Sequence, residues 1–121
     1  MTRVLVVEDE KQIADLVREI LEEEQYHVRV AWNGREALQM LVTFPADLII
    51  SDVMMPEMSG IELCRALTAH PTYHTIPVIL TSAGAQPVSS PECRFVAFLQ
   101  KPFRLPELLA AVARYGAESS P

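Results

Sequence analysis

No apolar run in this chain approaches the roughly 18 residues that a membrane-spanning helix needs. The N-terminus, Met1-Thr2-Arg3, passes straight into a short apolar stretch, without the apolar core or cleavage site of a secretory signal. These absences point to a cytoplasmic protein with no membrane partner. Basic residues are the minority, ten Lys and Arg against sixteen Asp and Glu, for a net charge of -6. There is no basic stripe to follow a phosphate backbone, so direct nucleic-acid binding is not expected. Cysteine is scarce. Cys64 and Cys93 form no C-x-x-C motif and no disulfide framework, and read as reduced, buried thiols. Internal repeats and linkers are also lacking.

What the chain does have is apolar mass. Half of its 121 residues are hydrophobic, enough for one domain, residues 1–121, with a core of its own. Short apolar runs alternate with helical patterns, the rhythm of βαβ units and a parallel sheet. The runs fall near Arg3 to Val7, His27 to Ala31, Leu48 to Ser51, Ile76 to Leu80 and Phe95 to Gln100. Their near-continuous Val, Leu and Ile suit strands covered on both faces. A first helix starts near Lys11, with Ile13, Leu16, Val17, Ile20 and Leu21 on one face. Glu22, Glu23 and Glu24 run out into solvent. A second helix follows Asn33-Gly34, with Leu38, Leu41 and Val42 apolar, and Pro45 stops it. A third follows Gly60 through Ile61, Cys64 and Leu67 to Pro71. The last opens at Pro106 and carries Leu108, Leu109 and Val112, joined by Leu105.

The segment from Ser82 to Arg94 breaks this rhythm. Gly84, Pro87 and Pro91 oppose a long helix, and Val88 is its one large aliphatic residue. The expectation is a shortened or irregular fourth helix, at most one turn after Ser90. The tail, Ala117 to Pro121, is polar and expected to fray.

Reactive groups gather where the apolar runs end. Glu8-Asp9 follows the first, Asp52 the third, Thr81 the fourth, and Lys101 the fifth. In an open parallel sheet, sites form beyond the carboxyl ends of the strands. Three carboxylates there repel one another, and a hard divalent cation relieves the repulsion. Mg²⁺ suits oxygen ligands and keeps several waters, so one or two direct carboxylates suffice. Asp9 and Asp52 are the direct candidates, with Glu8 acting through a bound water. Such a cation also offsets charge on an incoming phosphoryl group. Asp52 can attack phosphorus as a carboxylate nucleophile. Lys101 can pair with one phosphate oxygen and Thr81 can donate to another.

Together, Glu8-Asp9 after a Val-rich strand, Asp52-x-Met54-Met55-Pro56-x-Met58-Ser59-Gly60, Thr81 and Lys101-Pro102-Phe103 resemble the receiver domain of bacterial two-component response regulators. The resemblance covers roughly Arg3 to Ala113. It implies a flavodoxin-like (βα)5 fold, a doubly wound parallel sheet in the order 2-1-3-4-5. It implies Mg²⁺-dependent transfer from a sensor histidine kinase, or a phosphotransfer protein, to Asp52. It places the backbone carbonyl of Met54 on the metal and makes the Lys101-Pro102 bond cis. It assigns the switch to Thr81 and Phe98, the ring moving inward after the hydroxyl, and Phe98 lacks the hydroxyl that would hold a tyrosine outside. A protein of this kind is a switch whose catalysis is confined to its own phosphorylation and dephosphorylation. No output domain follows the last helix, so the chain reads as a stand-alone regulator or a piece of a longer one.

Other readings fit less well. A constitutive, non-switching interaction module of the same fold is the main alternative, favoured by the eroded fourth helix. A phosphatase of the aspartyl-phosphate type would need an acid at Met54. A flavin protein would need a phosphate-cradling loop where Glu8-Asp9-Glu10 would repel phosphate. His70 and His74 have helical spacing, but Pro71 between them spoils a zinc site. Trp32 and the Met54-Met55-Met58 group read as loop packing.

Overall fold

A computed structural model describes residues 1–119, with side chains through residue 116. The strands are β1 (Arg3–Val7), β2 (His27–Ala31), β3 (Leu48–Asp52), β4 (Val78–Ser82) and β5 (Ala97–Gln100). The helices are α1 (Lys11–Glu23), α2 (Gly34–Met40), α3 (Gly60–Ala69) and α4 (Leu105–Ser119). All strands are parallel, in the order β2-β1-β3-β4-β5. The expected sheet of a flavodoxin-like doubly wound fold is therefore present.

Alternation along the strands sends side chains to two separate cores. Leu5, Val7, Ile49, Val78 and Leu80 meet α2 and α3 through Ala37, Leu41, Leu63 and Leu67. Val4, Val6, Ile50, Ile79 and Leu99 meet α1 and α4 through Val17, Leu21, Leu108 and Val112. β3 and β4 are buried along their whole length, as the middle of a doubly covered sheet requires. Local chemistry sets the helix starts. Asn33 accepts a hydrogen bond from the Glu36 N–H at the head of α2. Ser59 and Glu62 form a reciprocal capping box on α3.

Several boundaries move from their expected places. β4 begins two residues later than the apolar run that opens at Ile76, because Pro77 offers no N–H and contributes only its carbonyl, to the Ile49 N–H. β5 starts at Ala97, after Phe95 and Val96. Asp52 is the last residue of β3, rather than the first beyond it. α3 ends before His70. The tail is helical to Ser119, and residues 120–121 lie outside the described residues.

The irregular stretch expected after β4 is present. Between β4 and β5 the described residues contain no helix at all. In place of a turn capped by Ser90 stands a tight reversal, in which Ser90 and Cys93 exchange both backbone hydrogen bonds. Proline lacks an N–H, so Pro87 and Pro91 each deny a donor to any helical ladder. The segment is instead fastened to α3, where the Arg94 N–H donates to Thr68 Oγ1.

Gly60 fixes how α3 follows β3. A Cβ at this position would lie 2.2 Å from the Asp52 carbonyl oxygen, a backbone atom that cannot swing away. Gly60→Ala is expected to destabilise the fold by about 1–3 kcal/mol through overpacking. Urea titration should show a lower midpoint with an unchanged m-value.

Candidate phosphoryl-acceptor site

The parallel register brings the reactive groups to one edge of the sheet. Asp52 pairs directly with Thr81 across β3 and β4. The Val53 N–H donates to the Thr81 carbonyl, the Lys101 N–H to the Ser82 carbonyl, and the Glu8 N–H to the Ala31 carbonyl. Each strand end is thus held by its neighbour. The Lys101-Pro102 peptide bond is cis.

Glu8, Asp52 and Thr81 are buried, while Asp9 is exposed at the rim. One carboxylate oxygen from each of Glu8, Asp9 and Asp52 lies within 4.8 Å of the others. The Lys101 ammonium reaches in from the end of β5, 2.7 Å from Glu8 Oε1 and 3.5 Å from Asp52 Oδ2. Glu8 Oε2 also accepts the Glu10 N–H at 3.2 Å. Three carboxylates therefore share one ammonium.

The imbalance shows in the acidities. Burial raises the pKa of Asp52 against the pull of Lys101 and a hydrogen bond from the Met54 backbone, and Asp9 adds repulsion. Burial raises Glu8 in the same way, and the Lys101 hydrogen bond only partly offsets it. Burial pulls the Lys101 ammonium down, but Glu8 and Asp52 more than compensate, so its pKa rises. The pocket suits a cation: its donors are hard oxygens, crowded and short of positive charge.

Of the remaining residues singled out by sequence, Phe98 is half-buried against the α2/α3 core, paired in register with Leu80, while Thr81 pairs with Leu99. The Met54 side chain is exposed, and only Met55 and Met58 of that group pack inward. Trp32 is also exposed. His70 Nδ1 accepts the Thr72 and Tyr73 N–H groups and its ring stacks on Tyr73, so it organises the turn after α3.

Two features escape sequence reasoning. One is a groove of about 310 Å³ between α1 and the segment after β5, lined by Ile13, Leu16, Ile20, Pro102, Phe103 and Leu105 and reaching Lys101. Leu16, expected in the core, is 55 % exposed here, and Leu105 is 48 % exposed. The only signal in sequence is an apolar stripe on α1 wider than one sheet face can cover. The other is a clasp between α2 and the loop after Asp52. Asn33 Nδ2 donates to Glu57 Oε2 and the Gly34 N–H to the Met58 carbonyl, while Glu57 takes a left-handed φ of 65°.

The model of the response regulator receiver domain matches residues 4–113 of this chain. The chain belongs to the response regulator receiver family. A Picosynechococcus protein named "Probable transcriptional regulatory protein" is 43 % identical over 89 % of this chain and 46 % of its own length. The response regulator ArlR of Staphylococcus saprophyticus is 32 % identical over 93 % of this chain and 51 % of its own. The receiver thus spans about half the length of the curated relatives it matches. Among solved structures, the signal receiver domain of a Syntrophus aciditrophicus signal transduction histidine kinase superposes with a TM-score of 0.88, at 38 % identity, over 98 % of this chain and 92 % of that one. The chemotaxis response regulator CheY4 of Vibrio cholerae superposes with a TM-score of 0.85, at 33 % identity, over 95 % and 98 %.

The raised acidities of this receiver have a stability consequence. A carboxyl whose folded pKa exceeds its unfolded value destabilises the fold once pH is above the unfolded value, and the cost disappears below it. Without divalent cations, Asp52→Asn should therefore raise Tm at pH 7, and the gain should shrink as pH falls toward about 4. Lys101→Met should do the opposite, costing about 3 kcal/mol by leaving buried carboxylates without their counter-ion. Thermal melts of both variants across pH check the pair of signs.

Proposed function

We propose that this receiver is a cytoplasmic signalling switch in which Asp52 accepts a phosphoryl group from a phosphohistidine on a sensor kinase or phosphotransfer protein. The observation that carries this reading is the convergence of Glu8, Asp9, Asp52 and Lys101 at one sheet edge. The donor set fits Mg²⁺, with Asp9, Asp52 and the Met54 carbonyl as direct ligands. Glu8 already accepts from Lys101 and from the Glu10 backbone, which favours its acting through a bound water. The ion, when bound, offsets the excess negative charge of the pocket and of the phosphoryl oxygens.

The residues of the chain divide the remaining work. An Asp52 carboxylate oxygen attacks phosphorus as the P–N bond to the donor imidazole breaks. The bond's electron pair leaves with the imidazole, which takes up a proton. Lys101 supplies a fixed positive charge for a phosphoryl oxygen, at the cost of loosening its hold on Glu8. Thr81, beside Asp52 in register, donates its hydroxyl to another. The movement of Thr81 and the half-buried Phe98 then shifts the population of surface arrangements toward the form that partners read. The exposed groove provides the seat for the donor, since its lining is apolar apart from Lys101, which pairs with Asp52.

The absence of a helix between β4 and β5 favours a second reading, a constitutive module whose surface does not respond. Beryllofluoride, a phosphoryl mimic, separates the two. A switch shows shifted β5 amide signals at saturating mimic, and a constitutive module shows none.

Incubation with acetyl phosphate and Mg²⁺ should add one phosphoryl group to the intact mass. Asp52→Asn should abolish the adduct, and an undiminished adduct would sink the assignment. Mg²⁺ alone should stabilise the wild type by about 2.7 kcal/mol at a hundredfold excess over its Kd. Asp9→Asn should lose most of that gain in a thermal melt.

A further inference from the structure

Cys64 and Cys93 have no place in the phosphoryl chemistry, yet the fold brings them together. Cys64 lies on the inner face of α3 and Cys93 in the irregular segment that stands where a helix would be. Both are buried, with 0 % and 3 % exposure, and the two thiols lie near enough for Cys93 to act on the ionisation of Cys64. The backbone around them is already joined. The Arg94 N–H donates to Thr68 Oγ1, and the Thr68 hydroxyl donates to the Cys64 carbonyl. Cys93 is itself held by its two backbone hydrogen bonds with Ser90. The tether through Thr68 and the shared burial bring two neighbouring thiols together from two separately anchored stretches of chain, as a disulfide requires of the fold around it.

We propose that Cys64 and Cys93 are a disulfide-forming pair, a thiol modification site that staples the segment between β4 and β5 onto α3. The staple supplies covalently what the missing helix would supply by packing. It rests on the tether through Thr68 and the shared burial of the two thiols, and is independent of phosphorylation at Asp52.

The order of events follows from the surroundings. Cys93 sits beneath an exposed turn, Pro91-Glu92, that can open locally. Cys64 is inside a helix, and burial followed by contact with Cys93 pushes its thiol up to about 12. Cys93 is therefore the thiol that meets a hydroperoxide first. Its sulfur takes one oxygen as the O–O bond breaks, giving a sulfenic acid and releasing water from hydrogen peroxide or an alcohol from an organic hydroperoxide. Cys64 then attacks that sulfur. The S–O bond breaks, and the departing hydroxide leaves as water with the Cys64 proton. Two thiols and one hydroperoxide give one disulfide, with both electrons passed to the peroxide oxygen. The high pKa makes the thiolate scarce, so the staple closes slowly, under sustained rather than transient oxidation.

The test is to expose the reduced protein to hydrogen peroxide and follow intact mass, alkylatable thiols and Tm. The expected product is a monomer lighter by two hydrogens, apart from oxygen added at exposed Met1 and Met54, which peptide mapping separates. It should contain a single Cys64–Cys93 cross-linked peptide and no thiol that alkylates after denaturation. Its Tm should rise by several degrees, since the closed loop is long, and dithiothreitol should restore both mass and Tm. Backbone amides from 83 to 96 should exchange more slowly in the oxidised form. Cys64→Ala and Cys93→Ala should each abolish the cross-link and the Tm rise. The wild-type cycle of oxidation and reduction stands alone should either variant fail to fold. Thiols that all remain alkylatable, sulfinic acid at Cys93 without a cross-link, or cross-linking between molecules only would overturn the proposal.

Discussion

The Lys101 ammonium spans a sequence gap of 93 residues to reach Glu8, and the site depends on that reach. Without it, Glu8 and Asp52 would be two buried carboxylates beside a third, and desolvation with mutual repulsion would drive protons onto them. With it, the charge is offset only in part, and both acidities stay raised. The pocket is thus kept electrostatically unfinished. A fully neutralised cluster would be a stronger structural brace and a poorer place for a cation. Lys101 reaches both acids because its N–H is tied to Ser82 at the end of β4. The register of a distant strand pair sets the distance between the Lys101 ammonium and the Asp52 carboxylate.

The same economy governs the loop after Asp52. Gly60 lets α3 begin in contact with the backbone of β3, and Ser59 with Glu62 closes the helix end. Just ahead of them Glu57 adopts a left-handed conformation that a β-carbon disfavours. Its side chain accepts from Asn33 at the head of α2, and Met58 accepts from Gly34. Local backbone strain is therefore held by contacts from a different β–α unit. The clasp ties the loop after Asp52 to the head of α2, apart from the segment after β4.

How much of this is legible in the sequence follows from how local each signal is. Glu8, Asp52, Thr81 and Lys101 each end an apolar run, and a parallel sheet aligns such ends, so their convergence can be read from alternation alone. The sheet order cannot; it came with the family resemblance. The placement of β4 is misread because Ile76 looks like strand, although Pro77 and the Ile49 pairing start the ladder two residues later. Leu16 is misread because a stripe at helical spacing does not say where the covering surface stops. The Cys64–Cys93 contact is invisible because nothing local relates a helix face to an irregular segment. Long-range contacts become legible only where a repeated local rule generates them.

The two faces of the sheet are unequal in a way that bears on signalling. The α1/α4 face has both of its helices, and its exposed apolar groove reaches Lys101. The α2/α3 face has lost the helix that would cover β4 and β5, and Phe98 sits on that side, half-buried against Leu80 and its neighbours. Helix packing makes a surface bistable because interdigitated side chains favour discrete arrangements over a continuum. The 83–96 segment is held instead by the Ser90–Cys93 reversal, the bond from Arg94 to Thr68, the bond from the Val96 N–H to the Val78 carbonyl and the packing of Phe95 on the core. Under the proposed switch, Phe98 would act on this segment in place of a packed helix. The α1/α4 side keeps the full architecture of the fold. The output of the proposed switch is best sought where α2, α3 and the 83–96 segment meet, since Phe98 packs on that face of the sheet.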